Sequence, residues 1–110
     1  MAKRQDLVKG WQDIVGKEWF AYAGFRTRPN HLPYAVYWED ACEPIYADNT
    51  IWKKKRTYIF RLVTEDKDWD LEDRIEDMML EMELIPQKIT DEPYSTEKVH
   101  VVEWQVVMVD

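Results

Sequence analysis

Apolar positions recur along this chain with two periods, and the switches between them mark its elements. In RQDLVKGWQDIV (4–15), Leu7, Val8, Trp11, Ile14 and Val15 fall on one side at 3.6-residue spacing, the pattern of a short amphipathic helix. Gly10 weakens that helix and Gly16 ends it. WFAYAGF (19–25) is a short apolar run that predicts a strand, and RTRPNHLP (26–33), with two prolines and Asn30, predicts a loop. YAVYWED (34–40) is aromatic and β-branched, which suits a second strand. ACEPIYADNT (41–50) contains Pro44 and the turn-forming pair Asp48-Asn49, so it reads as a loop with an apolar tip at Ile45-Tyr46.

From residue 51 the period is two. Trp52, Lys54, Arg56, Tyr58, Phe60 and Leu62 share one face of a strand over 51–65, and Ile51, Lys53, Lys55, Thr57, Ile59, Arg61 and Val63 share the other. The second half is apolar enough to be buried, and the first half is expected to extend past the core. Leu71, Ile75, Met78, Met79 and Met82 then return to a helical stripe, predicting a helix over 68–83. LIPQKI (84–89), containing Pro86, predicts a short edge or irregular strand, TDEPYSTEK (90–98) a turn, and VHVVEWQVVMV (99–109) a long closing strand. In that last strand Val102, Trp104, Val106 and Met108 oppose Val101, Glu103, Gln105 and Val107. The order α-β-β-β-α-β-β implies an α+β fold: a mainly antiparallel sheet with two helices packed on one face.

Composition agrees with that picture. At 110 residues, 45% of them apolar and only three glycines, residues 1–110 make a single domain able to bury a core. The N-terminus has no apolar run after its basic residues, and there is no 18-residue apolar stretch. A soluble protein without a membrane span, made in a cytoplasm, is the expectation. The lone Cys42 rules out an internal disulfide and a cysteine-based zinc site.

Charge changes the picture more. Of the net −7, residues 64–83 carry ten acids against two bases, while residues 51–63 carry Lys53, Lys54, Lys55, Arg56 and Arg61 with no acid. Adjacent segments of opposite sign suggest self-complementary contacts, within the chain or between copies. Four consecutive basic residues on a strand point to alternate faces, so they form no single patch of the kind that binds nucleic acid.

The acidic segment TEDKDWDLEDRIEDMM invites a calcium reading, because Asp66, Asp68 and Asp70 stand two residues apart. That reading fails. The sixth loop position is Leu71 where glycine is needed, the ninth is Arg74, and the twelfth is Asp77 rather than glutamate. A helix explains the residues better: Asp68 is the N-cap, and Asp70, Glu72 and Asp73 meet the positive end of the helix dipole. Glu72, Asp73 and Glu76 are then expected on the outer, solvated face, crowding like charge there.

No catalytic constellation appears. His31 lies in a Pro-rich loop, and His100 alternates with Val102 and Trp104 as a structural histidine would. Neither pairs with a serine or cysteine nucleophile. There is no Gly-rich phosphate loop, and Glu103 reads as solvent- or interface-exposed. No enzyme activity, metal or cofactor is expected.

Short blocks in a particular order do carry a resemblance. Ala47-Asp48-Asn49-Thr50-Ile51-Trp52-Lys53-Lys54 leads into a strand, followed by Thr64-Glu65-Asp66-Lys67-Asp68, an acidic helix, and an aromatic β-rich C-terminal strand. Across residues 19–109 this resembles the tail-completion or tail-terminator proteins encoded in the head–tail joining region of long-tailed bacteriophages. The sequence departs from that pattern in its tryptophan content, the Lys53–Arg56 tetrad and its basic N-terminal helix. The resemblance implies a structural virion protein of the tail and neck, assembled in the host cytoplasm. It would form a homo-oligomeric ring, typically a hexamer, that caps the tail tube and joins it to the head connector.

Implied partners are further copies, the major tail protein and the head-completion or connector protein, with DNA only passing through the lumen. On charge segregation, Lys53, Lys55, Arg61, Asp70, Asp73, Glu76 and Asp77 are the expected subunit interface. Ile45, Tyr46 and Trp52 are the expected contact with tube or connector. The competing expectation is a soluble adaptor module of a phage or bacterium that recognises a protein through its Trp-rich sheet.

Overall fold

A computed structural model describes residues 3–27, 29–47 and 50–109, without the side chains of 46, 47 and 50–52. Its elements are helix α1 (Arg4–Val15), a 3-10 turn (Lys17–Trp19), strands β1 (Phe20–Tyr22), β2 (Tyr34–Ala47) and β3 (Thr50–Thr64), helix α2 (Trp69–Glu81), and strands β4 (Gln87–Tyr94) and β5 (Val99–Val109). The five strands form one sheet in the order β1-β2-β3-β5-β4. All neighbours are antiparallel except β1, which runs parallel to β2 over three residues. The α+β architecture and its order are those expected from the periodicities.

Pleat alternation decides which face the helices cover. Tyr58, Phe60 and Leu62 of β3, together with Val102, Trp104, Val106 and Met108 of β5, are buried in one core with Leu7, Trp11 and Val15 of α1 and Leu71, Ile75 and Met79 of α2. Trp11 is its centre. The indole is fully buried, stacks on Phe60 at 5.1 Å and Phe20 at 5.8 Å, and meets Trp104 edge-on at 5.6 Å. Each such large buried side chain stabilises by roughly 1.5–3 kcal/mol, and the aromatic geometry adds to that. On the opposite face Val63, Val99 and Val101 form a smaller cluster with Leu32 and Tyr34, so the connection between β1 and β2 caps part of the sheet's second side.

Three expectations about element bounds need correction. Residues 41–47 are not a loop: β2 continues through them, and its backbone pairs from Ala41 opposite Thr57 to Ala47 opposite Thr50. Pro44 is tolerated because β1 covers β2 only at Ala35–Tyr37, leaving Pro44 on an edge where a missing N–H breaks no ladder. Bulges absorb the irregular pairing at Asp40 and Trp52. The strand expected over 84–89 begins after Pro86 and runs to Tyr94 as the sheet's other edge, taking in most of the predicted turn. The apolar run 19–25 keeps only Phe20–Tyr22 as strand, because Ala23 and Gly24 take positive φ and turn the chain away.

Gly10 has a packing reason. A Cβ there would lie 2.6 Å from Met78 Sδ, so the missing side chain lets α2 approach α1 closely. Gly10→Leu is expected to force the helices apart and cost about 1–3 kcal/mol, read from the urea midpoint. A variant as stable as the parent would show that the approach is not tight.

Candidate interaction surfaces

Beyond the end of β5, where Val109 pairs with Lys55, the remaining residues of β2 and β3 have no third strand beside them among the described residues. Pro44–Ala47 and Thr50–Lys54 therefore form a two-stranded arm, and the chain measures 52 × 27 × 24 Å. The expected projection of the first half of β3 is thus an arm made with β2. Lys54 is exposed on it and Lys55 at its base, and Lys53 and Ile45 are half-buried. Tyr46 and Trp52 belong to its backbone, but their side chains lie outside the described residues, as does the Asp48-Asn49 pair.

Arg61 does not join this basic surface. It faces the side of the sheet away from the helices, where its Nε donates to Glu103 Oε2 at 2.7 Å and its guanidinium lies 5.3 Å from the Trp38 ring. Glu103 is consequently mostly covered rather than open to solvent, since its side chain keeps only 13% exposure.

Helix α2 begins as expected. The Leu71 N–H donates to Asp68 Oδ1 at 3.1 Å, a cap worth about 1 kcal/mol. Its carboxylates divide into two sets. Asp70, Asp73, Asp77 and Glu81 are exposed, lie on one stripe, and have no hydrogen-bond or ion-pair partner among the described residues. Glu72 and Glu76 contradict the expectation of an outer face. Glu72 is 2% exposed and accepts from Lys67 Nζ at 2.7 Å and Lys88 Nζ at 2.8 Å. Glu76 accepts from Trp104 Nε1 at 2.8 Å and lies 3.5 Å from Lys88. A signal for this was available: Glu72 precedes Met79 by seven residues, which puts it inside the apolar stripe.

Lys67 also donates to Asp91 at 2.7 Å, and Asp91 lies 2.6 Å from His100 Nε2. Two lysines, three carboxylates and His100 thus tie α2 to the edge strand β4 and to β5. His100, expected to be structural, is half-buried and takes part in this cluster through Asp91. Burial, the largest influence on both ammonium groups, pulls their pKa down. The hydrogen bonds that Lys67 donates to Asp91 and Glu72, and Lys88 to Glu72, outweigh it and leave both raised. A raised lysine is the opposite of an activated nucleophile. Asp91 is held below the ordinary carboxylate range, first by the hydrogen bond from Lys67 and then by that from His100.

The third feature was not anticipated. Arg4, Tyr22, Tyr37, Glu39, Arg56 and Tyr58 line an open cleft of about 600 Å³ beside the N-terminus of α1. Arg4 Nη1 donates to the Tyr37 hydroxyl at 2.9 Å, and Arg56 Nη1 to Glu39 Oε1 at 2.8 Å. The Tyr22 hydroxyl accepts from the Glu39 N–H at 3.4 Å. Arg4 precedes Leu7 and Trp11 by three and seven residues, so it continues the apolar stripe of α1 as a cation aimed over the sheet. Among the described residues, no group of three or more His, Cys, Asp and Glu is arranged to hold a metal ion.

No protein-family model and no curated protein matches this chain. What these surfaces do has to be argued from their own chemistry. Among the described residues, the ionic partners of α2 are Lys67 and Lys88, and its outer stripe has none.

The ion cluster makes stability depend on pH at both ends. A lysine whose pKa folding raises contributes stability that is whole below its unfolded value, about 10.4, and is lost as pH climbs through the folded one. Asp91, lowered by folding, contributes above about 3.9 and loses its contribution as pH falls below that. Asp91→Asn is expected to flatten the acid limb of stability against pH in urea titrations; an unaltered acid limb would sink the assignment. Glu72→Gln leaves two partly buried lysines without their shared carboxylate and is expected to cost about 1–3 kcal/mol at neutral pH.

Proposed function

We propose that this chain is a structural subunit of a long-tailed phage, a terminator or completion protein that closes the tail tube as a ring and presents a surface to the head connector. The observation that carries this reading is the arm formed by Pro44–Ala47 and Thr50–Lys54. A two-stranded ribbon with no third strand is marginal in water on its own. A neighbour that covers it, another copy or the tube, would supply the missing contacts.

The segregation of exposed charge supports the same reading. A head-to-tail ring needs two different complementary surfaces on each subunit, here an acidic helix and a basic arm. Exposed acids near a lumen would also let DNA pass without sticking. The order of short sequence blocks across 19–109 adds the resemblance to tail-completion proteins. The alternative adaptor reading would use the same arm on a single partner and would leave the protein monomeric.

Purified protein added to polymerising major tail protein from the same genome is expected to stop elongation and leave extra density at one tube end in electron micrographs. Tubes that elongate normally in excess protein would overturn the proposal. Lys53→Glu combined with Lys55→Glu is expected to abolish ring formation in size-exclusion chromatography or mass photometry while leaving the circular dichroism unchanged. An intact ring would remove that face of the arm from the interface.

A further inference from the structure

We infer that the Arg4–Arg56 cleft is the socket for the acidic face of α2 from a second copy of this chain. The inference rests on the ring reading and names the contact within it.

The first argument is charge. Arg4 has the Tyr37 hydroxyl as its hydrogen-bond partner and no carboxylate among the described residues, so its positive charge is uncompensated. Arg56 is balanced by Glu39, which leaves the cleft at about +1. By strand alternation Lys54 stands on the same face of β3 as Arg56 and Tyr58, extending the positive strip outward along the arm. The complementary surface is the exposed stripe Asp70, Asp73, Asp77 and Glu81, with Arg74 its one cation.

The second argument is position. Helix α1 lies over the β1–β2 side of the sheet, through Arg4 on Tyr37 and Trp11 on Phe20. Helix α2 lies over the β5–β4 side, through Glu76 on Trp104 and Glu72 on Lys88. Cleft and stripe are thus at opposite flanks of the sheet and cannot meet within one chain. Between copies they form a heterologous contact, which propagates head to tail.

The third argument is chemistry. A guanidinium offers carboxylates a planar fork of donors, and Tyr22, 56% exposed, adds a hydroxyl and an amphipathic wall. This adds the face of β3 that carries Lys54 and Arg56 to the basic half of the interface, beside Lys53 and Lys55, and leaves out Arg61, which is held by Glu103. It also releases Glu76, already held by Trp104, from the acidic half.

Charge exchange tests the pairing. Arg4→Glu places an acid in the first turn of α1, where the helix dipole favours it, so folding should be preserved. Asp73→Lys with Asp77→Lys changes only exposed positions. Each variant alone is expected to self-associate at least about tenfold more weakly than the parent by analytical ultracentrifugation, and their equimolar mixture to recover association. Thermal melts establish that each is folded.

A parent protein that stays monomeric at all concentrations, a variant that associates like the parent, or a mixture that fails to recover would each overturn the inference. Failure here is separable from failure of the functional reading. Arg4→Glu protein that still caps tail tubes removes the socket and leaves the terminator standing. A parent protein that caps no tubes removes the terminator, whatever the cleft binds.

Discussion

Successive side chains of a strand must point to opposite faces, and β3 obeys that constraint from Lys53 to Thr64. It pairs with β2 along its whole course and with β5 from Lys55 onward. Wherever β5 is present, alternate residues of β3 have helices on one face, and Tyr58, Phe60 and Leu62 fill the core. Where β5 stops, β3 continues with β2 as its paired strand, and the residues next to that end are Lys53 and Lys54. One strand thus sets both the buried body and the exposed arm, and the boundary between them falls where the third strand ends.

The two helices hold to this sheet by different physics. α1 inserts Trp11 into an aromatic stack with Phe20, Phe60 and Trp104, an attachment that is apolar and indifferent to pH. α2 has an apolar stripe as well, but its outer flank is fixed to the edge strand by Lys67, Lys88, Glu72 and Asp91. β4 is exposed along nearly its whole length and could not be secured by burial. Ion pairs are a reasonable device for an edge that charged side chains must also keep from pairing with other strands. The cost is that this side of the fold depends on protonation.

The elements with a clean period were legible in the sequence: α1, β3, β5 and α2, with Asp68 as its cap. What was missed failed for identifiable reasons. Pro44, Asp48 and Asn49 are turn formers, and they disguised 41–47 as a loop, although on an edge strand a proline breaks no ladder. Glu72 was assigned to solvent by residue type, when its helical phase with Met79 put it on the buried side. The same phase argument applies to Arg4, whose place before Leu7 and Trp11 marks a cation directed over the sheet. The cleft itself was not legible, because Tyr22, Tyr37, Glu39 and Arg56 are joined only by the pairing of three strands.

An asymmetric distribution of charge restricts the assemblies open to this chain. A two-fold axis passing through the stripe of α2, or through the Arg4 cleft, would set like charges together. Contact of one with the other would remove the repulsion, and with cleft and stripe on opposite flanks of the sheet each head-to-tail contact would leave a fresh stripe and a fresh cleft at the ends. Under the proposed ring reading, such a chain of contacts would grow until its curvature closed it. The arm, bulged at Trp52, leads out of the same strand that brings Arg56 to the cleft, where it would meet the incoming copy. Its pitch against that copy would then set the rotation per subunit, and with it whether contact ends in a ring or a filament.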